Sequence, residues 1–205
     1  MAPHTISRRA ALRTLGAAAS SAAVVPWLSD EGLLAFGRIQ TTGAAPALKV
    51  LSAAQYATLE ALTETIIPAD DRSPGAKEAR VADYVDLLLS EQENPVRLQW
   101  LGGLAEIDEE AVARFKRPFA SLAADEREQL VAAIARNERS PQTAVEAFFV
   151  TAKTATVQGY YSSEIGIHQE LKYKGNQMLP EFVGCATEDR KDCPHCGQKH
   201  QPSGA

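Results

Sequence analysis

The residues of this chain best suited to chemistry are three cysteines and a histidine near its C-terminus. Cys193 and Cys196 stand two residues apart, His200 follows with three residues between, and Cys185 lies upstream. Three thiolates and an imidazole make a set that zinc binds tetrahedrally, although only half of the usual double-pair pattern is present. Disulfide chemistry fits the same residues: Cys193 with Cys196, leaving Cys185 to bond another chain, which an odd cysteine count favours. A redox-active pair is a third use, but no thioredoxin-like strand pattern surrounds it. The plainest reading is a tail with idle thiols. All four stay open on spacing alone.

Other groups are weaker candidates. Asp70 and Asp71 are adjacent carboxylates, but they sit among Pro68, Pro74 and Gly75. Adjacent aspartates in such a loop more often cap a helix or pair with a neighbour such as Arg72. His168 lies in a polar stretch beside Gln169 and Glu170 and reads as a surface residue. No Gly-x-Gly-x-x-Gly turn offers a dinucleotide cradle, and no nucleophile elbow is present. Gly197 follows Cys196 where covalent haem attachment needs a histidine. No catalytic residue and no flavin or haem site is therefore expected in this chain.

The opposite end carries a different signal. Ser7-Arg8-Arg9 leads through Leu12 into the mildly apolar run from Leu15 to Pro26. Paired arginines ahead of a short apolar stretch are the mark of a twin-arginine export leader, with Ser7, Arg8, Arg9 and Leu12 as its recognition residues. The stretch is short of the roughly 20 strongly apolar residues that a membrane span needs. Small residues at cleavage spacing occur twice, at Ser21-Ala22-Ala23 and at Ala45-Pro46-Ala47. The expected address is the periplasm, reached folded, with the chain soluble or held at the inner membrane by partners or by an uncleaved leader.

The elements that must position these residues follow from composition and periodicity. The chain has 205 residues, a formal charge of −5, 45% hydrophobic residues and 6% aromatics. That balance suits one globular domain with a real core. It argues against nucleic acid as a partner, since such binding draws on basic residues that neutralise phosphates. Residues 1–45 read as leader and linker, the linker beginning at Gly37. Residues 46–185 read as a helical domain and 186–205 as the Cys/His tail. Ser52 with Gln55 forms a capping box before Tyr56, Leu59, Leu62, Ile66 and Ile67 at helical spacing. Further helices are predicted around Val81–Leu89, from Asn94-Pro95 to Phe115, from Asp125, and from a Ser140-Pro141 cap. Gly102-Gly103 is a soft point in the third unless close packing uses it. No run alternates as a strand would. The expected fold is all-α, a small bundle of about five helices with an irregular C-terminal tail. Beyond Gly159 periodicity fades. Tyrosines among small polar residues there suit a protein contact, with Tyr160, Tyr161, Ser162, Ser163, His168 and Tyr173 as interface candidates.

Two blocks of sequence resemble a known family. The stretch from Thr58 through Ile66-Ile67-Pro68-Ala69-Asp70-Asp71-Arg72-Ser73-Pro74-Gly75-Ala76, followed by Val81-Ala82-Asp83-Tyr84-Val85-Asp86, resembles the gluconate 2-dehydrogenase subunit 3 family. Thr156 to Glu164, and Tyr173-Lys174-Gly175 through Gly184-Cys185, resemble its second block. The resemblance implies a helical, non-catalytic small subunit. Its large partner subunit would bind FAD and oxidise a sugar or sugar acid. A cytochrome c subunit carrying haem would take the electrons onward. The small subunit would assist folding and carry the signal read by the twin-arginine translocase. Residues after Cys185 depart from the family pattern.

Overall fold

Helix boundaries follow from capping chemistry that the sequence carries locally. In the computed structural model, residues 26–175 are described, apart from 44 and 46. The chain divides into two compact units, Met1–Tyr173 and Lys174–Ala205, and nearly all described residues belong to the first. They form six α-helices and no strand: α1 Asp30–Thr42, α2 Ala53–Ile66, α3 Val81–Ser90, α4 Asn94–Phe115, α5 Ala124–Ile134 and α6 Ala144–Tyr161. The all-α expectation holds. None of the described helices is long and apolar enough to cross a membrane.

Ser52 caps α2 as expected: its Oγ accepts from Gln55 N at 3.3 Å, and Gln55 Oε1 accepts from Ser52 N at 2.9 Å. Pro95 occupies the first turn of α4, where its missing N–H costs nothing. The last helix starts later than Ser140-Pro141. Thr143 is the cap, with its Oγ1 accepting from Glu146 N and Glu146 accepting from Thr143 N in return. A Thr-x-x-Glu box satisfies two amides, which a proline two residues earlier cannot.

The centre of the bundle is α3. Nine of its ten residues are buried, and it packs against α1, α2 and α6. Leu59, Leu62, Tyr84, Leu88, Leu89, Leu104, Ile107, Phe119 and Leu130 fill the interior. Burying each such side chain is worth roughly 1.5–3 kcal/mol before chain entropy is set against it. Gly103 is used for close packing: a Cβ there would run into the ring of Phe148, which stands edge-on to Trp100 with centroids 5.4 Å apart. Gly102 faces open space.

Two readings of the sequence are corrected. The linker does not begin at Gly37, because α1 runs from Asp30 to Thr42 and breaks only at Gly43, whose φ of 60° suits glycine. The bundle therefore gains a sixth helix. Phe36 in α1 is 1% exposed and meets Tyr84 edge-on at 5.3 Å. The stretch beyond Gly159 is not irregular either. Gly159, Tyr160 and Tyr161 complete α6, and a π-helical turn spans Ile165–Glu170. Gly166 is needed there, since a Cβ would strike the carbonyl of Tyr160.

Candidate functional site

Two regions flank the end of α6, one closed and one open. The closed one is the loop between α2 and α3. Asp70 Oδ1 accepts from Arg72 N at 2.8 Å and Ser73 N at 2.9 Å. Those backbone donors, the Arg72 amide first, hold its carboxyl below the usual range. Asp70 thus folds its own loop rather than capping a helix, and its carboxylate stands 3.6 Å from the guanidinium of Arg72, the neighbour the sequence offered as a partner. At the loop's centre, Tyr160 Oη donates to Pro74 O at 2.8 Å. The phenol has one proton, so Ser73 Oγ, 2.7 Å away, is the donor in their mutual bond. Burial pushes the Tyr160 phenol up.

Past the loop, Arg80 adopts φ 59°, uncommon for a residue with a side chain. Its Nε donates to Asp83 at 2.6 Å, and this bond holds the guanidinium's pKa up. Tyr56 Oη donates to the same carboxylate at 2.9 Å. Burial first, then the charge of Asp83, keeps that phenol protonated well past its ordinary value. One turn on, buried Asp86 accepts from Lys49 N at 2.6 Å, Val50 N at 3.0 Å and Leu51 N at 2.9 Å. It pins the strap that enters α2. These acids are structural clamps. Two aspartates inside the apolar run from Val81 to Leu89 are the signal that betrays them, because buried carboxylates require partners.

The open region lies on the other side of α6. Trp27, Val157 and Tyr161 line a groove of about 380 Å³. Trp27 is 67%, Tyr161 42% and Val157 39% exposed. Lys153 and Glu138 close one rim with an ion pair at 2.7 Å. Neither Trp27 nor Val157 was singled out from sequence. An aromatic directly after the apolar run that ends at Pro26 was the available hint for Trp27.

The six interface candidates do not share one surface: Tyr161 and Ser162 line the groove, and Tyr160 bonds into the loop. Tyr161, His168 and Tyr173 are exposed and Ser162 is half-buried. Tyr160 and Ser163 are buried and face inward. Ser163 Oγ donates to Tyr160 O at 2.6 Å and accepts from Gly166 N at 2.9 Å, so it caps the turn after α6. Ser7, Arg8, Arg9 and Leu12 lie outside the described residues, as do Cys185, Cys193, Cys196 and His200. Among the described residues no group of three or more His, Cys, Asp or Glu side chains could hold a metal ion.

The model of one protein family, gluconate 2-dehydrogenase subunit 3, matches residues 53–180. The chain belongs to that family. The match runs from the first residue of α2 through α6 and the π turn, so it takes in the clamped loop, Asp83, Asp86 and Tyr160. It leaves α1 outside. No curated protein matches the chain, and no solved structure does. As a gluconate 2-dehydrogenase subunit 3 protein, the chain is an accessory subunit of a multi-subunit dehydrogenase.

Proposed function

We propose that this subunit is the non-catalytic small chain of a periplasmic dehydrogenase that oxidises an alcohol carbon of a sugar or aldonate. FAD would sit in the large subunit, and a cytochrome c subunit would carry electrons away. The small chain assists folding of the flavin subunit and carries it through the twin-arginine translocase. Family membership over residues 53–180 is the observation that supports this reading, and Ser7-Arg8-Arg9 supplies its export half. A flavin is loaded in the cytoplasm, so a loaded subunit has to cross folded, which is what a leader-bearing partner makes workable.

In this reading the large subunit docks on the open side of α6, at Trp27, Val157 and Tyr161. An aromatic pair over an apolar groove with a charged rim has the make-up of an interface centre. The test is co-expression with the flavin subunit. Trp27→Ala should lower its co-purification roughly 10-fold or more, as loss of an interface tryptophan does. Arg8→Lys with Arg9→Lys should leave both chains in the cytoplasm. Normal export of the flavin subunit with those arginines replaced refutes the carrier role.

A further inference from the structure

We infer that α1 is a permanent part of the working protein, so that removal of the leader stops before Ser29 and Ala45-Pro46-Ala47 is not a processing site. The inference rests on the export reading only for where a cut falls. By sequence the second site is attractive: Ala45 and Ala47 are small and exposed. Hydrolysis after Ala47 would also leave the whole family-matched span, which starts at residue 53, intact. The packing of α1 argues against it.

Leu28 and Phe36 are 4% and 1% exposed, and Phe36 covers the ring of Tyr84 in α3. Ser29 ties the start of α1 to the end of α3: its N donates to Glu91 Oε2 at 2.9 Å and its Oγ to Oε1 at 2.5 Å. Gln40, near the other end, joins two further elements. Its Nε2 donates to Ala79 O at 3.1 Å, and its Oε1 accepts from Glu164 N at 3.2 Å. Cutting after Ala47 would strip both ends at once, bare the buried Tyr84 ring, and orphan polar groups before α3 and after α6. Cutting after Ala23 touches none of these contacts. The fold thus separates two sites that local sequence leaves equal.

Two measurements test this. Intact mass and N-terminal sequencing of the protein from its native host should find Met1 or a start before Ser29. A chain beginning at Leu48 overturns the inference while leaving the export reading standing. In the full-length chain, Phe36→Ala should lower Tm by roughly 10 °C, as expected for emptying a buried aromatic site in a domain of this size. Leu34→Ala, on the exposed side of the same helix, should leave Tm unchanged. Equal Tm values for wild type and Phe36→Ala overturn the inference whether or not the protein is exported.

Discussion

Tyr160 and Tyr161 are neighbours in sequence with opposite roles. Their rings lie edge-to-face at 5.4 Å, yet one is 3% and the other 42% exposed. Adjacent helical positions point about 100° apart, and here that angle separates the locked loop from the open groove. On the locked side, Asp70, Asp83, Asp86, Ser73 and Tyr160 have their polar atoms bonded within the subunit. On the open side, Trp27, Val157 and Tyr161 leave apolar surface in water. A residue type alone therefore does not mark an interface. What distinguishes the two tyrosines is whether the fold has already satisfied the phenol.

The sharpest way to break this contrast is at Asp86. Asp86→Ala would orphan three backbone N–H groups at Lys49, Val50 and Leu51. The expected loss is about 3–5 kcal/mol of unfolding free energy by urea titration. A loss below 1 kcal/mol would show that the strap is held by something else.

The tyrosine pair comes next. Tyr160→Phe forfeits the bonds to Ser73 and Pro74 and should cost roughly 1–3 kcal/mol with flavin-subunit capture unchanged. Tyr161→Asp should do the reverse, abolishing capture at unchanged Tm. If both variants lose stability alike, the division of α6 into two sides is wrong.

Alkaline pH probes phenols of the locked side and of the core together. Tyr56, Tyr84 and Tyr160 have raised pKa values, burial being the first cause of each. Their contribution to stability is complete below the ordinary tyrosine value near ~10 and is lost as pH rises beyond it. Absorbance at the phenolate band should show these three ionising together with loss of helix, rather than before it.

Neighbouring glycines give a smaller contrast of the same kind. Gly102→Ala adds a helix former in open space and should stabilise by about 0.5–1 kcal/mol. Gly103→Ala should destabilise by about 1 kcal/mol or more, because Phe148 occupies the space of its Cβ. Paired thermal melts read the opposite signs.

The smallest effect is at exposed Asp70. Its lowered pKa means its contribution is full above the ordinary aspartate value and fades as pH falls below it. Between pH 5 and pH 3 the wild-type urea midpoint should drop slightly more than that of Asp70→Ala, which lacks the carboxylate. Parallel curves would remove Asp70 from the locked side.

The helices α2 to α5 were legible, with the cap of α2 and the first-turn proline of α4, because a capping box, such a proline and 3.6-residue periodicity act within a few residues. That Pro68 to Ala76 form a loop in which Asp70 pairs with Arg72 was legible for the same reason. Helix α1 was not: its apolar residues adjoin an Ala-rich stretch that reads as a leader, and only the far-off ring of Tyr84 makes Phe36 a core residue. Tyr160 was misjudged because its partners Ser73 and Pro74 lie more than 80 residues away.

Local chemistry in the sequence thus determined that the chain is helical, where most helices begin and end, and that Asp70 lies in a loop beside its partner Arg72. Tertiary structure alone decided which of two adjacent tyrosines meets solvent, that Asp83 and Asp86 are clamps, and that α1 belongs to the body. The physical reason is range. Caps and turns are satisfied by neighbours in the chain, whereas burial and the pairing of buried polar groups depend on residues that only the packed bundle brings together.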